Sequence, residues 1–184
     1  MEITVKNMVC PRCIASVSEI FRKESITILS VSLGKVITEN DVQEYSIGNI
    51  KEALLSAGFE WIDDYKNSLL EKVKALVIDR IHHNMQPISS WSQYLSGQLN
   101  QDYRHLSQLF SEIHGITLEQ YILRQKIEKV KELIRYDQLT LTQIAHQLNY
   151  SSTAHLSSQF KKVTGMTPST FKKSSENRTS LDLI

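Results

Sequence analysis

The stretch HLSSQFKKVTG, His155 to Gly165, decides the fold because nearly the same letters, HLSQLFSEIHG, occur at His105 to Gly115. The offset of fifty residues pairs Phe110 with Phe160 inside these stretches, and it also pairs Tyr121 with Phe171 beyond them. Self-similarity at one fixed offset indicates a single supersecondary unit used twice. The sequence therefore predicts two copies of one small helical structure.

The second copy, residues 139–165, predicts a helix, a tight turn and a second helix. Ile144 and Leu148 lie on one face of a short helix, and Ser152 is a suitable N-cap for the next one. Gly165 then ends the second helix as a C-cap residue. A short helix, a turn of about three residues and a longer helix form the layout of a DNA-reading helix-turn-helix.

The second helix of this copy has two different faces. Helical geometry places Leu156, Phe160 and Val163 inward. The opposite face is small, polar and basic: it carries Ala154, Ser158, Lys161 and Lys162, with Thr153 and His155 beside them. Such a face suits the major groove, because short side chains allow close approach, donors reach base edges and lysines lie near phosphates.

The first copy carries Arg104, Gln108, Ser111 and Glu112 on the corresponding face. Arginine and glutamine have the bidentate geometry for guanine and adenine respectively. We therefore expect most direct base reading in the first copy.

A single helix is predicted between the two copies, over Thr117–Tyr136. Twenty helical residues span roughly 30 Å. Successive major-groove faces on one side of DNA are roughly 34 Å apart, so one rigid spacer could present both recognition helices to one duplex.

Two segments, NYSSTAHLSSQFKKVTGMTPSTFKK (149–173) and DYRHLSQLFSEIHGITLEQY (102–121), resemble the AraC-type DNA-binding domain. The resemblance runs from about Ser89 to Lys173 and implies two helix-turn-helix motifs joined by a central helix. By this resemblance the base-facing residues are Arg104, Ser107, Gln108, Thr153, Ala154, His155 and Ser158. The alternative is a duplicated helical bundle that binds a protein.

Residues 1–63 predict the element order βαββαβ. EITVK is a strand, IASVSEIFRK a helix, TILSVSLGKVITEN two strands, IGNIKEALLSAGF a helix and EWID a last short strand. An antiparallel sheet with two helices on one face is a ferredoxin-like α+β sandwich. The fold class is therefore two domains, this sandwich followed by an all-α double helix-turn-helix.

The loop MVCPRC, Met8–Cys13, resembles the MxCxxC loop of the heavy-metal-associated domain. Cys10 and Cys13 face one ion in that arrangement, and a helix N-terminus lowers thiolate pKa. Residues 1–63 contain no histidine, so two sulfur ligands favour copper(I) over zinc. The alternatives are a thiol redox sensor and a dimerisation or partner-binding module without metal.

The N-terminal and C-terminal parts of the chain also differ in the sign of their net charge. Residues 1–63 carry six Lys or Arg against nine Asp or Glu, whereas residues 88–184 carry eleven against eight. A basic C-terminal half is consistent with an anionic partner such as double-stranded DNA. We therefore expect a transcription regulator in which a signal at the cysteines reaches the DNA-binding half.

The remaining expectations concern domain bounds and setting. The predicted domains are a sensor at 1–63, a linker helix at 64–86 closed by Pro87, a DNA-binding domain at 87–174 and a flexible tail at 175–184. The linker helix docks on a domain or makes a homodimer contact. Without a signal peptide or membrane span, a cytoplasmic protein is expected. No triad or phosphate loop stands out, so we expect no enzyme, although a thiol oxidoreductase or copper carrier is the competing class.

Overall fold

The computed structural model describes residues 1–84, 88–174 and 178–184. The chain forms two compact units, an N-terminal unit Met1–Leu76 and a C-terminal unit Val77–Ile184. The predicted linker helix begins at Tyr65, and Pro87 lies outside the described residues. The predicted domain bounds remain predictions.

The N-terminal unit has the predicted order of strands and helices. Its elements are β1 (Glu2–Lys6), α1 (Pro11–Lys23), β2 (Ile28–Ser32), β3 (Lys35–Thr38), α2 (Glu44–Ser56), β4 (Glu60–Ile62) and most of α3 (Tyr65–Ile78). The four strands form one sheet in the order β2-β3-β1-β4. Every neighbouring pair is antiparallel.

One face of this sheet packs on α1 and α2. Ile3 and Val5 of β1 are buried in one core with Phe21 of α1 and Leu54 of α2. Residues two apart on a strand share a face, which is why Ile3 and Val5 enter the same core. Phe21 also stacks on Trp61 of β4, with ring centroids 6.1 Å apart.

The opposite face of the sheet is covered by α3. The sequence pattern predicted that this helix docks on a domain or makes a homodimer contact, but it did not indicate which surface the helix covers. Thr4 and Ser68 are joined by a hydroxyl–hydroxyl hydrogen bond, and Lys72 donates to the Glu2 carboxylate. Four residues of α3 rise about 6 Å, close to the roughly 6.6 Å of two strand residues, so these pairs stay in register. Gly34 allows the close approach, because a Cβ there would lie 3.2 Å from Ala75 Cβ.

The C-terminal unit is all helical among its described residues. Its elements are a π-helical segment (Asp79–Asn84), α4 (Trp91–Leu99), α5 (Tyr103–His114), α6 (Leu118–Tyr136), α7 (Leu141–Gln147), α8 (Thr153–Thr164), α9 (Pro168–Lys173) and a 3₁₀ turn (Leu181–Leu183). Helices α4 and α5 form the first helix-turn-helix, and α7 and α8 form the second. The predicted spacer is α6, whose 19 residues span about 28 Å.

Capping residues explain where these helices begin and end. The Ser152 hydroxyl accepts the His155 N–H at the start of α8, and Thr117 forms a capping box with Gln120 at the start of α6. Gly165 ends α8 with φ of 80°, in the left-handed region that glycine enters without strain. The predicted bounds of α6 and α8 are therefore confirmed to within one residue.

The helix-turn-helix cores differ from the pattern in one respect. Leu156 and Phe160 are buried as predicted, and Phe160 packs on Phe171 with ring centroids 5.6 Å apart. Val163 is 39% exposed, so its predicted burial is wrong, and its counterpart Ile113 in the first copy is 43% exposed. An inward angle does not bury a side chain unless a neighbouring element also covers that turn of the helix.

A buried polar layer on α6 was not predicted either. Gln125, Glu128 and Lys129 are at most 5% exposed. Lys129 Nζ donates to the His82 carbonyl, and Glu128 accepts the backbone N–H of Thr179. Buried polar groups require such partners, and segments near the two ends of the C-terminal unit supply them.

Residues 178–184, which belong to the predicted flexible tail, make contacts with α6. Arg178 forms an ion pair with Glu132 at 2.9 Å, and the Leu181 carbonyl accepts a hydrogen bond from Gln125. These contacts hold the segment against α6. Polar groups make these contacts, so no apolar periodicity in this segment of the sequence indicates them.

Candidate DNA-binding interface

The outer face of α5 presents the residues predicted to read bases in the first copy. Arg104 and Gln108 are exposed, and Ser107 is partly exposed. Together with Tyr103 and Ser111 they line a shallow depression of about 410 Å³. A surface with arginine, glutamine and hydroxyl groups can donate to and accept from base edges.

The start of α5 is held at two points. The Asp102 carboxylate accepts the backbone N–H groups of Arg104 and His105 at 2.9 and 3.2 Å. The Tyr103 hydroxyl donates to Glu119 Oε1 at 2.7 Å. Burial and this hydrogen bond raise the pKa of Tyr103, so it remains a donor at neutral pH. The face that carries Arg104 is thereby fixed in orientation.

The second recognition helix, α8, also presents its predicted residues to the surface. Ala154, His155 and Ser158 are exposed, and Thr153 is partly exposed. Ser151 Oγ and His155 Nδ1 are hydrogen bonded at 3.0 Å. This contact leaves Nε2 as the ring atom available to a ligand.

An aromatic residue supports His155 from the turn. The Tyr150 ring meets the His155 ring edge-on, with centroids 5.4 Å apart. Burial raises the pKa of Tyr150 to about 12, and Lys126 Nζ lies 5.3 Å from its ring centroid. Sequence reasoning missed Tyr150 and Ser151, although their place in the turn before α8 was a usable signal.

Exposed cations lie at the end of α8 and on α9. Lys161 and Lys162 are exposed in the last turn of α8, and Lys172 and Lys173 are exposed on α9. Lys172 pairs with Asp137. Lysines in such positions suit phosphate contacts. All nine predicted DNA-facing residues are thus at least partly exposed, and their contact with DNA stays a prediction.

The two cysteines lie at the start of α1 in the N-terminal unit. Cys10 is the N-cap residue, Pro11 follows in the first turn, and the Cys13 N–H donates to the Cys10 carbonyl at 3.0 Å. The two Sγ atoms are 3.1 Å apart, and both residues are partly exposed free thiols. Met8 is buried in the core beneath this loop and is 3% exposed.

The environments of the two thiols differ. Burial by itself raises the pKa of Cys10, but hydrogen bonds from the Cys13 thiol and from the Cys13 and Arg12 backbone outweigh it, so the pKa is lowered. Burial and the hydrogen bond to Cys10 raise the pKa of Cys13. Asn7 occupies the left-handed region with φ of 70°, which asparagine enters more readily than most other non-glycine residues.

The donor set at this loop is limited to the two sulfurs. Among the described ranges, no group of three or more His, Cys, Asp or Glu side chains could hold a metal ion. Two thiolates suit a soft ion of low coordination number and do not complete the tetrahedral site of zinc. The residues present therefore fit copper(I) better than zinc.

Two helix-turn-helix units joined by one long helix define the C-terminal unit as a DNA-binding fold. Residues 95–174 match the family model described as a helix-turn-helix domain. A solved AraC-type transcriptional regulator from Chromobacterium violaceum aligns over 58% of this chain and 91% of its own, with 20% identity and a TM-score of 0.51. Residues 95–174 therefore match a helix-turn-helix domain, and the C-terminal unit is similar in fold to that AraC-type regulator.

Further relatives are regulators by their names. The chain is 28% identical over 148 residues to the probable transcriptional regulator LumQ of Photobacterium leiognathi, covering 80% of this chain and 58% of LumQ. It is 25% identical over 122 residues to the Msm operon regulatory protein of Streptococcus mutans, covering 63% of this chain and 44% of that protein. The chain thus spans about half the length of these relatives. Within the part of the chain that the structure describes, none of the helices could cross a membrane.

Proposed function

We propose that this protein is a transcription regulator that binds double-stranded DNA with α5 and α8 in successive major-groove segments. The observation that carries this proposal is the duplicated helix-turn-helix, with an exposed polar face on each second helix. Helix α6, about 28 Å long, provides a spacer close to the roughly 34 Å repeat of the groove.

Charge supports the same proposal. The second copy carries Lys161 and Lys162, and α9 adds Lys172 and Lys173, all exposed. Neutralising phosphates with lysine provides affinity for any sequence, whereas arginine and glutamine on α5 provide discrimination. Helix α5 therefore makes most of the base contacts, whereas α8 mainly contacts the phosphate backbone of the DNA.

Selection from a random duplex library with the reduced full-length protein tests this function. The selected duplex should bind at least about a thousandfold more tightly than a scrambled one at equal salt, measured by fluorescence anisotropy. Arg104→Ala should weaken binding to the selected duplex. Arg22→Ala, which replaces an exposed arginine on α1, should leave that binding unchanged. Equal affinity of the wild type for both duplexes would reject the proposal.

For the N-terminal unit we propose a ferredoxin-like sandwich that responds to a soft metal ion at Cys10 and Cys13. The element order βαββαβ and the sheet order β2-β3-β1-β4 support the fold. Two sulfur donors at the start of α1, with no group of three or more metal-ligating side chains among the described residues, favour copper(I) as the ion. Binding of copper(I) would release the thiol protons, and the two thiolates with one copper(I) would leave a net negative charge at this helix N-terminus. We also propose that the protein forms a homodimer.

Copper(I) titration of the reduced protein against a competing chelator tests the metal proposal. We expect one ion per chain, lost in the Cys10→Ser and Cys13→Ser double variant, together with a change in affinity for the selected DNA. Sedimentation of both proteins with and without copper(I) reports dimer formation. Unchanged chelator binding in the wild type would reject copper(I) and leave the DNA-binding proposal intact.

A further inference from the structure

We propose that Glu112 is a specificity-determining residue of the first helix-turn-helix, which positions the Gln108 amide and keeps α5 from binding phosphates indiscriminately. This inference rests on the proposed DNA-binding function and deepens it. Glu112 and Gln108 are both exposed on α5, one turn apart. Neither side chain is needed for the helical core.

The positioning role follows from one hydrogen bond. Gln108 Nε2 donates to Glu112 Oε1 at 3.1 Å. An amide has two N–H groups and one carbonyl oxygen, so this bond uses one N–H and determines which way the amide is turned. The other N–H and the oxygen remain for the donor and acceptor pair that adenine presents in the major groove.

The charge of Glu112 has a second consequence. The fifty-residue offset pairs Glu112 with Lys162 and Ser111 with Lys161. The first copy therefore carries a carboxylate and a hydroxyl where the second copy carries two ammonium groups. A carboxylate near the backbone repels phosphates of every sequence, so Glu112 lowers binding to DNA that offers no base contacts. The ratio of specific to non-specific affinity therefore rises, because binding to non-specific DNA becomes weaker.

Three substitutions separate the two roles. Glu112→Gln keeps a carbonyl acceptor for Gln108 and removes the charge, Glu112→Ala removes both, and Glu112→Lys copies the second helix-turn-helix. Glu52→Gln, at an exposed site on α2, is the matched control for losing one negative charge. Binding of each full-length variant is measured on the selected duplex, on its single-base variants and on a scrambled duplex across a salt series.

All three Glu112 variants should bind the scrambled duplex more tightly than wild type, and Glu112→Lys should steepen the salt dependence by about one unit. Glu112→Ala should also lose about twofold of base preference at one position, the one at which Gln108→Ala loses its preference. Glu112→Gln should keep that preference.

The inference is overturned if the Glu112 variants match Glu52→Gln on the scrambled duplex and keep every base preference. Circular dichroism of each variant establishes that the fold is unchanged. A wild type that does not distinguish the selected duplex from the scrambled one would instead overturn the proposed function, and the inference with it.

Discussion

Lowering the pH from 7 to 5 should destabilise the C-terminal unit through His82. This side chain is 8% exposed, and its Nε2 lies 2.9 Å from Gln125 Oε1. Because Gln125 Nε2 donates to the Tyr121 hydroxyl, its oxygen faces His82 and the neutral ring carries its proton on Nε2. Among the described residues, His82 Nδ1 is buried without a hydrogen-bond partner. A second proton would have to enter at that atom.

The size of the effect follows from the pKa. Burial, aided by the charges of Lys129 and Arg178, lowers the pKa of His82 from 6.5 to about 4, although the Gln125 bond and Glu132 act in the opposite direction. The unfolded chain therefore takes up the proton first as the pH falls. The stabilisation is complete above pH 6.5 and is lost toward pH 4. Proton linkage gives a loss of about 2 kcal/mol by pH 5.

Urea unfolding at pH 7 and at pH 5 measures this loss. In a Trp61→Phe background, fluorescence of Trp91 reports only the C-terminal unit. His82→Gln, which does not titrate, should lose about 2 kcal/mol less than its parent over this range. His146→Gln, at an exposed histidine, should lose as much as the parent.

The carboxylates are the same in all of these proteins, so the difference between His82→Gln and its parent reports on His82 and on Glu132, whose pKa the charge of His82 helps to lower. Equal losses in His82→Gln and in the parent would show that His82 does not cause the pH dependence. That outcome would mean that His82 accepts its proton in the folded state at an ordinary pKa.

Three further predictions concern stability and binding. Phe160→Ala removes a fully buried ring and should cost about 3 to 5 kcal/mol in urea unfolding. Asp102→Ala removes the N-cap of α5 and should cost about 1 kcal/mol by the same measurement, whereas Asp182→Ala, in the exposed C-terminal turn, should cost little. Lys162→Ala should weaken binding to all duplexes alike and reduce the salt slope by about one unit, measured by anisotropy. A loss confined to one base pair would contradict its assignment to a phosphate.

The sequence predicted well those parts of the fold that depend on local signals. Ser152 and Thr117 have the residue types that cap helices, and both begin helices as N-caps. The internal repeat predicted two helix-turn-helix units because a repeated sequence indicates a repeated structural unit. The exposed positions of Arg104 and Gln108 follow from the same 3.6-residue periodicity.

The contacts that the sequence did not predict depend on distant partners. Thr4 is buried because Ser68 of α3 covers it, which no local pattern around β1 indicates. Gln125 is buried because His82 and the Leu181 carbonyl lie beside it, 43 and 56 residues away along the chain. At the candidate site, the bond from Gln108 to Glu112 depends on side-chain rotamers, which the residue types alone do not determine.

Hydroxyl-radical footprinting of the selected duplex tests most directly whether both recognition helices read one DNA. We expect two protected patches on one side of the duplex, about 10 base pairs apart. Arg104→Ala should weaken protection in one patch, and His155→Ala should weaken it in the other. A single protected patch, or a patch that both variants weaken alike, would contradict the account.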